Sequence, residues 1–410
     1  MSINQDLIRT LAQQYGTPLY IFDESIIRRQ CKRLKGAISY RNTVIRYACK
    51  ALTIGAVLKV IRSEGLHIDA VSLNEVLRAE LAGFTSDEIL YTGEGASRDE
   101  YKELIEKGVT INCSSIDQIK LIGEIRPGWH CSIRVNPGEG HGHSNKVNTG
   151  GPASKHGIYF DQMDQVLEVS REFNIKIIGI HSHIGSGTDV THWLRIKDLT
   201  LEIARRFKDL TFIDLGGGLP VVYNSETDLP MPLEEWGERL GESFANFSKE
   251  YGRDLQLQIE PGRFVVAESG ILVAEVQTIK ATPTYKYIVV NTGLNHNPRP
   301  AMYGSYHDIK FISPDNSIRS GDSFAVVAGN LCESGDVFTI DESGELQPRL
   351  FPNVKLGDLM VMGNIGAYSH AMKSEYNSIN LPPSVMVSPD DTVKLIERRG
   401  TLEDLLRREV

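Results

Sequence analysis

A single lysine stands at the end of one of the apolar segments of the chain. Lys50 closes the run "TVIRYACK", whose β-branched and aromatic side chains predict a buried strand. Partial desolvation at the end of such a strand lowers the pKa of an amine, which then attacks carbonyl carbons more readily. The residue alone leaves a second interpretation open, namely a lysine that faces solvent at a strand terminus.

Two later segments combine glycines with charged side chains. The turn "GGGLP" follows the run "LTFIDL", and "EPGR" follows the run "LQLQI". Glycines allow backbone N–H groups to approach phosphate oxygens closely, so the two loops are predicted to anchor a phosphate group. A plain tight turn is the alternative for the glycine triplet. The candidate phosphate-binding residues are Gly216, Gly217, Gly218, Gly262 and Arg263.

Glu260 places a carboxylate beside this predicted phosphate anchor. An amine, a phosphate anchor and an acid together indicate pyridoxal 5'-phosphate as cofactor. Lys50 would bind its aldehyde carbon, and Glu260 would pair with the protonated ring nitrogen, which increases electron withdrawal from the α-carbon of a substrate. His183, in "HSHIGSG", could stack on the ring face. A structural ion pair for Glu260 and a hydrogen-bonded core position for His183 remain alternatives.

The segments that carry these residues repeat a strand–helix pattern, which predicts a parallel sheet. Eight units fit the closed (β/α)8 barrel, and an open doubly wound sheet is the alternative. The barrel is favoured because polar residues appear at the C-terminal ends of the strands, where barrel enzymes assemble their sites. The eight runs end at Lys50, Val71, Gly93, Ser114, Asn136, His183, Gly218 and Arg263.

The intervening segments carry helix signals. "TIGAVLKVIRSEG" places apolar residues on one face and closes at a glycine. "SLNEVLRAELAGF" begins with a predicted capping box between Ser72 and Glu75, and Ser115 with Gln118 repeats the device. After about residue 270 the helical segments give way to runs such as "GILVAEVQTI", "YKYIVVN", "SFAVVAG" and "LMVMGN". These predict a second, mostly β domain.

Composition limits the function classes. The 410 residues are 41% hydrophobic and 24% charged, as in globular proteins, and their number favours two domains. A net charge of -9 argues against nucleic acid or an anionic membrane as partner. The sequence shows neither a signal peptide nor a long apolar span. Five scattered cysteines predict a cytoplasmic protein without disulfides, and no metal site is predicted.

These motifs together resemble the fold-type III pyridoxal-phosphate-dependent decarboxylases, in particular the members that act on diaminopimelate. The likeness runs in order through nearly the whole chain. Its matching segments are "RYACKA", "HIDAVSLNE", "GHGHSNKVNTGGPASKHGI", "GIHSHIGSG", "DLGGGLPV", "EPGRFVVAESG", "RPAMYGSYHDI", "LCESGDVF" and "GAYSHAMKSEYNS".

The resemblance implies a fold, an assembly and a reaction. Residues 27–270 would form a TIM-like cofactor-binding barrel, and residues 1–26 and 271–410 a Greek-key or sandwich-like β domain. The family forms homodimers whose active sites are shared between subunits. The implied reaction removes CO2 from meso-diaminopimelate and yields L-lysine.

The resemblance also implies residue roles. Lys50 would carry the cofactor, and His183 would stack on it. Cys332, within "LCESGD", would be the proton donor delivered from the partner subunit, although a small buried side chain is the structural alternative. Tyr376 is a weaker candidate for a role in the site. Further cofactor contacts are implied for Asp69, Ser186, Gly216, Gly217, Gly218, Glu260, Gly262, Arg263 and Tyr368. Glu75 would support the surroundings of the lysine. Substrate contacts are implied for Arg263, Arg299, Tyr303, Glu333 and Tyr368.

Four residues depart from the usual pattern of those members: Asn291, His296, Asn364 and Ser369. We expect them near the site, where replacement of carboxylates suits a more anionic substrate. The second hypothesis is therefore a decarboxylase of a carboxylate-rich modified diamino acid, such as an N-citryl-ornithine-type siderophore precursor. Ornithine and lysine fit less well, because they need an acid opposite the distal amine.

Two hypotheses come from other functional classes. An amino-acid racemase would be expected to place a cation, rather than Glu260, at the ring nitrogen. A non-catalytic pyridoxal-phosphate carrier would need the barrel alone, without the β domain and the "CESGD" motif. Decarboxylation is favoured over both.

Overall fold

A computed structural model describes residues 3–139, 149–183, 185, 190–315, 317 and 320–410. Ser186 and residues 140–148, which begin the matching segment "GHGHSNKVNTGGPASKHGI", lie outside these residues. The chain divides into two compact units. The barrel unit comprises Arg28–Val221 and Pro230–Val265, and the β unit comprises Met1–Ile27, Val222–Leu229 and Val266–Val410.

The strands share runs of buried β-branched and aliphatic residues, as the sequence pattern predicts. In chain order they are β1 (Leu19–Asp23), β2 (Thr43–Ala48), β3 (His67–Ala70), β4 (Ile89–Tyr91), β5 (Thr110–Cys113), β6 (His130–Asn136), β7 (Ile158–Tyr159), β8 (Lys176–His181), β9 (Phe212–Asp214), β10 (Gln256–Ile259), β11 (Gly270–Ala281), β12 (Lys286–Val290), β13 (Ile309–Ile312), β14 (Asp322–Ala328), β15 (Arg349–Pro352), β16 (Leu359–Met362), β17 (Ser384–Val387) and β18 (Val393–Glu397).

The longer helices present apolar faces at helical spacing, with an N-terminal capping residue in several of them. In chain order the helices are α1 (Gln5–Tyr15), α2 (Glu24–Ala37), α3 (Gly55–Ser63), α4 (Leu73–Leu81), α5 (Arg98–Lys107), α6 (Ile116–Ile125), α7 (Met163–Glu172), α8 (Val190–Ala204), α9 (Leu233–Tyr251), α10 (Arg263–Val266), α11 (Arg299–Tyr303) and α12 (Leu402–Leu406).

Eight parallel strands close into a barrel in the barrel unit. The order is β2-β3-β4-β5-β6-β8-β9-β10, and β10 pairs back onto β2. The short strand β7 adds to β6 outside this ring. All eight predicted strands are present, so the predicted (β/α)8 barrel is confirmed, together with the second, mostly β domain.

The capping boxes form with a small difference. The Ser72 hydroxyl accepts a hydrogen bond from the N–H of Glu75, as predicted. The Glu75 carboxylate instead accepts from the N–H of Val71, one residue before the cap, at 2.8 Å. Gln118 does the same with Ser114 at 2.6 Å. In both cases the side chain ties the end of the preceding strand to the first turn of the helix.

The β unit is built around β1. This strand lies between β11, to which it is antiparallel, and β17, to which it is parallel. β11 also pairs with β12 and β16, so the sheet branches there. Helix α1 packs its apolar face on these strands. The resulting core contains Ile3, Ile8, Leu11, Ala12, Leu19, Ile21, Ile271, Val273, Ile312, Leu359, Val361, Val385 and Val387. Among the described residues no helix combines the length and apolarity needed to cross a membrane.

Candidate active site

Lys50 lies just beyond its strand rather than at the last position of it. β2 ends at Ala48, and Lys50 occupies the middle of the short 3-10 turn Cys49–Ala51, which the N–H of Leu52 closes onto the Cys49 carbonyl. The two neighbours of the lysine in this turn are fully buried, whereas Lys50 itself is exposed. Its side chain therefore projects from a rigid turn.

Three barrel strands bring acids and a histidine together at their carboxyl ends. His181 ends β8 and is paired with Asp214, which ends β9. Asp214 is also paired with Gln258 of β10, two residues before Glu260. Because parallel strands end at one rim of the barrel, the register places these side chains side by side. One atom each of His181, Asp214 and Glu260 lie within 4.8 Å of one another.

Glu260 is buried and makes a single described hydrogen bond through its side chain. Its Oε2 lies 3.0 Å from Nε2 of His181, and its Oε1 has no partner among the described residues. Burial on its own raises the pKa of Glu260, but the neighbouring histidines and Lys50 outweigh it and lower the pKa to about 2. Glu260 is therefore a carboxylate at neutral pH with one oxygen available to a ligand.

Two other buried carboxyl groups, those of Asp69 and Asp214, have raised pKa values, whereas that of Glu260 is lowered. Burial, followed by the charge of Glu260, raises the pKa of Asp69 to about 8 and raises that of Asp214 well above its usual value. Asp69 hydrogen-bonds the Thr92 side chain, and Asp214 accepts the N–H of Gly216 at 2.8 Å. Like charges in a buried cluster cannot all ionise, so the negative charge resides on Glu260. Beside the lysine, burial also raises the pKa of Glu75.

The glycine triplet packs between His183 and the Glu260 backbone. The N–H of Gly217 donates to Nδ1 of His183 at 3.0 Å, and the Gly216 carbonyl accepts from the Glu260 N–H at 2.8 Å. A Cβ on Gly217 would lie 2.2 Å from the Glu260 carbonyl oxygen, so only glycine fits there. Burial lowers the pKa of His183 well below its usual value, with the charges of Lys50 and Arg134 adding to the effect. The imidazole of His183 is therefore neutral, and Nε2 carries its hydrogen.

This arrangement refines the predicted phosphate anchor. The N–H groups of Gly216 and Gly217 already donate within the protein, to Asp214 and His183. Gly218, with a φ of 98°, follows in the left-handed region that favours glycine. A Cβ on Gly262 would lie 3.1 Å from both Ala48 and Ala51, so this glycine lets the "EPGR" loop approach the lysine turn.

The residues of the barrel unit fit pyridoxal 5'-phosphate. The unpartnered, buried Oε1 of Glu260 suits a protonated ring nitrogen, and Lys50 on its turn suits an aldehyde. Glycines at 216–218 and 262 keep side chains out of the space that the two loops border. His181, Asp214 and Glu260 are also donors that cations accept, but Nε2 of His181 and Oε2 of Glu260 already bind each other. Arg263 is buried at the start of the short helix α10.

In the β unit, Arg299 begins helix α11 and is buried. Its Nη1 lies 3.1 Å from Nε2 of His307, and its Nη2 donates to the Ser305 hydroxyl at 3.2 Å. The guanidinium stacks over the ring of Tyr223, with 4.6 Å between the guanidinium carbon and the ring centroid. Tyr303, predicted to share its role, ends the same helix and is half-buried.

Tyr368 adopts a backbone conformation that side chains of its size rarely take. Its φ is 63°, and Asn364 in the same loop has a φ of 54°. A bulky residue in the left-handed region costs about 1 kcal/mol or more and is typical of functional positions. The strained conformation at Tyr368 supports a role in ligand binding over one in packing.

Cys332 is the exposed one of the five cysteines, and the other four are buried. The buried structural alternative for Cys332 is therefore wrong. Its backbone N–H donates to Oδ1 of Asn377 at 3.0 Å, and the neighbouring Glu333 accepts the Tyr376 hydroxyl at 3.3 Å. Tyr376 is itself exposed, so it does not pack in a core. Asp336 of the same motif is buried and accepts the N–H of Leu331, which anchors the loop.

The four residues that depart from the family pattern lie in the β unit, and their place near the site stays a prediction. The Asn291 amide oxygen accepts from the N–H of Glu275 in β11, and its amide nitrogen donates to the Thr17 hydroxyl. His296 is fully buried and bonded to Thr292. Ser369 is also fully buried. Asn364 donates to the Val222 carbonyl at 2.9 Å and lines a small pocket of about 160 Å³.

Sequence reasoning missed several residues that hold the site together. A signal existed for His181, because strand residues two apart face the same side and "HSH" therefore places His181 and His183 together. No sequence signal identifies Asn377 or His307, because their partners lie 45 and 8 residues away in irregular segments.

Comparison with known proteins agrees with this geometry. Residues 24–267 match the family model described as "Pyridoxal-dependent decarboxylase, pyridoxal binding domain". The diaminopimelate decarboxylase of Escherichia coli is 38% identical over 413 aligned positions, which cover 99% of this chain and 96% of that protein. A crystal structure of a diaminopimelate decarboxylase shares 37% identity and a TM-score of 0.93, over 98% of this chain and 96% of that one.

A second solved structure is the diaminopimelate decarboxylase of Helicobacter pylori complexed with L-lysine. It shares 28% identity and a TM-score of 0.88, over 98% of this chain and 99% of that chain. The family match spans more than half of the chain, and the E. coli relative spans nearly all of it. These likenesses confirm the resemblance inferred from the motifs. The chain belongs to the pyridoxal-dependent decarboxylase family.

Proposed function

We propose that this chain is a pyridoxal-phosphate-dependent carboxy-lyase that converts meso-diaminopimelate to L-lysine and CO2. The observation that carries the proposal is the buried, ionised Glu260, with one oxygen bonded to His181 and the other unpartnered among the described residues. An anion at this position stabilises a protonated ring nitrogen, which decarboxylation requires. The relatives named above, which cover nearly the full chain, support the choice of substrate.

The proposed cofactor contacts lie mostly in the barrel unit. Lys50 would hold it covalently through Nζ, and Glu260 would hold a proton at the ring nitrogen. His183, kept neutral and fixed by the Gly217 N–H, would stack on the ring. When bound, pyridoxal 5'-phosphate supplies a ring that accepts the electron pair left behind by CO2. Further contacts are proposed for Asp69, Ser186, Gly216, Gly217, Gly218, Gly262, Arg263 and Tyr368.

Five residues are proposed to contact the substrate. Arg299 would bind the distal carboxylate of the substrate, because a guanidinium pairs with a carboxylate through two parallel hydrogen bonds. Glu333, Arg263, Tyr303 and Tyr368 complete the proposed set. Cys332 would donate a proton to the substrate α-carbon in place of the CO2 that leaves.

The four departures from the family pattern are the reason for the hypothesis of a carboxylate-rich substrate. Asn291 and His296 make internal hydrogen bonds in the β unit, so their identities have a structural reason, and Ser369 is fully buried. A racemase remains disfavoured because Glu260 is an acid. A pyridoxal-phosphate carrier has no use for an exposed cysteine in a loop that a buried aspartate anchors.

We also propose an oligomeric state and a cellular location for this chain. We infer a homodimer in which Cys332 and Glu333 of one subunit serve the site of the other, as the family resemblance implies. The exposed position of Cys332 and Glu333 in the single chain is compatible with that role. Five free cysteines suit the reducing conditions of the cytoplasm, where we place the enzyme.

The cofactor assignment is tested by visible absorbance. The purified chain incubated with pyridoxal 5'-phosphate should turn yellow, and Lys50→Ala should lose the long-wavelength band that covalent attachment produces. Lys59→Ala, which removes an exposed lysine of α3, is the matched control and should keep the band. A colourless wild-type chain after incubation contradicts the assignment.

The substrate assignment is tested by CO2 release. The wild-type chain should release CO2 from meso-diaminopimelate with a kcat/KM well above that for lysine, ornithine and N-citryl-ornithine. Chiral analysis of the product should show L-lysine. Faster turnover of N-citryl-ornithine supports the second substrate instead, and interconversion of enantiomers without CO2 indicates a racemase.

A further inference from the structure

The hydrogen bond between His181 and Glu260 determines which oxygen of Glu260 is left for a ligand. His181 is 1% exposed and Glu260 is 6% exposed, so water does not compete for their hydrogen bond of 3.0 Å. A carboxylate offers two oxygens, and this bond occupies Oε2. The remaining oxygen, Oε1, is the one without a partner in the described part of the chain. His181 therefore decides which oxygen of Glu260 is presented to a ligand.

The direction of this hydrogen bond follows from the charge state of its acceptor. An ionised carboxylate only accepts, so Nε2 of His181 carries the hydrogen and donates. The other imidazole nitrogen, Nδ1, is buried and unpartnered among the described residues. The histidine is thus held by its strand, β8, and bound through one nitrogen to Glu260. Rotation of the carboxylate away from this geometry would break its single described hydrogen bond.

Glu260 is one of three buried carboxyl groups that compete for a negative charge. Asp69 and Asp214 are 2% and 0% exposed, and neither has a cationic hydrogen-bond partner in the described chain. Arg46, also buried, donates to the Gln258 side chain rather than to a carboxylate. The donor that distinguishes Glu260 from the other two acids is His181. This donor stabilises the charge on the acid that faces the ring nitrogen.

We propose that His181 is a positioning residue that acts through Glu260, fixing the oxygen and the charge that keep the ring nitrogen of the bound cofactor protonated. The inference rests on the proposed function, because it assigns pyridoxal 5'-phosphate as the ligand of Glu260. It assigns His181 no contact with substrate or cofactor. A packing role for His181 would leave the protonation of the ring nitrogen unchanged when a side chain of similar volume replaces it.

The test uses the full chain reconstituted with pyridoxal 5'-phosphate labelled with ¹⁵N in the ring. His181→Phe removes the donor and keeps a ring, whereas His181→Gln restores an N–H donor near the position of Nε2. The ¹⁵N chemical shift of the bound cofactor should move toward the unprotonated value in His181→Phe and stay near the wild-type value in His181→Gln. His296→Gln, which alters a buried histidine of the β unit, should leave the signal unchanged.

Two further measurements separate positioning from packing. Removal of the donor should lower kcat by about tenfold, with a smaller change in KM. The preference of the wild-type chain for the cofactor over its 1-deaza analogue, in which a CH replaces the ring nitrogen, should vanish in His181→Phe and return in His181→Gln.

The outcomes distinguish this inference from the proposed function. Suppose that the wild-type chain binds the cofactor and releases CO2, and that the folded His181→Phe variant has an unchanged ¹⁵N signal. This result overturns the role of His181 and leaves the proposed function standing. A wild-type chain that fails to bind pyridoxal 5'-phosphate overturns both. If His181→Phe does not fold, an unprotonated ring nitrogen in His181→Gln, whose donor is retained, contradicts the proposal.

Discussion

Arg299 is held in place by a neutral histidine. Nη1 of the guanidinium lies 3.1 Å from Nε2 of His307, and Nδ1 of His307 lies 2.9 Å from the Gly363 carbonyl oxygen. A carbonyl only accepts, so Nδ1 carries the hydrogen and Nε2 is the acceptor for Arg299. The Gly363 carbonyl thereby sets the tautomer of His307, and the tautomer sets the direction of the guanidinium.

Arg299→Lys should weaken substrate binding. A lysine cannot reproduce the fork of two parallel hydrogen bonds to a carboxylate, and a hydrogen bond to a charged group contributes about 1.5–3 kcal/mol. We expect KM for meso-diaminopimelate to rise by roughly 10- to 100-fold. His307→Phe should raise it by a smaller factor, because Arg299 remains but loses its acceptor. Steady-state kinetics measure both, with the exposed Arg171→Lys as control. An unchanged KM in Arg299→Lys argues against the role of Arg299.

Cys332→Ala should lower turnover and spare the cofactor. Loss of a proton donor costs about 10²- to 10⁴-fold in rate, so kcat should fall in that range. Asn377→Ala should lower kcat less, because it removes only the acceptor for the Cys332 N–H. Activity and visible absorbance are measured on the same samples. If Cys332→Ala loses the cofactor absorbance, Cys332 supports cofactor binding and its role as proton donor is wrong.

Asp69 should make the stability of the cofactor-free chain depend on pH. Its pKa is about 8 in the folded chain, raised by burial and then by Glu260, against 3.8 for an unperturbed aspartate. The folded state therefore binds an extra proton between these values. The contribution of Asp69 to the free energy of unfolding should fall as pH rises through this window, by up to about 1.4 kcal/mol per pH unit.

Asp69→Asn should reduce that slope, because an amide does not titrate. Urea unfolding at several pH values between about 5 and 7 measures it. The raised pKa of Asp214 acts in the same direction, so a residual slope is expected in the variant. Equal slopes for the wild-type chain and Asp69→Asn show that Asp69 is ionised in the folded state.

Gly217→Ala should destabilise the barrel unit, since the new methyl group would lie 2.2 Å from the Glu260 carbonyl oxygen. Overpacking of this kind costs about 1–3 kcal/mol. Gly36→Ala is the matched control: Gly36 lies in helix α2, nothing lies within 4 Å of its added Cβ, and alanine favours a helix by about 0.5–1 kcal/mol. Thermal unfolding should therefore shift in opposite directions for the two variants. Equal shifts contradict the close approach at Gly217.

The sequence predicts the barrel well because its signals are local. Short β-branched runs with a polar residue after each one identify the strands, and the same rule leads to Lys50, Glu260 and the glycine triplet. The predicted strand ended two residues too late at Lys50, because the 3-10 turn Cys49–Ala51 continues the apolar composition of β2. Local composition does not distinguish the last strand residue from the first residue of a tight turn.

The partners of the site residues were beyond sequence reasoning. The pairing of His181 with Glu260 joins residues 79 positions apart, and it depends on which strands become neighbours when the barrel closes. The family pattern predicts Asn291 and His296 near the site, because both replace its usual carboxylates. It gives no sign that Asn291 hydrogen-bonds Thr17 or that His296 is fully buried in the β unit.

The central place of β1 has a consequence for the synthesis of the chain. All five of its residues are buried, and Tyr20 is paired with Leu272 on one side and Ser384 on the other. A ribosome that adds about 5–20 residues per second needs roughly 20 seconds to more than a minute to make the second partner after the first 20 residues. During this time the edge of β1 that pairs with β17 stays open on the nascent chain, where it can pair with a strand of another chain.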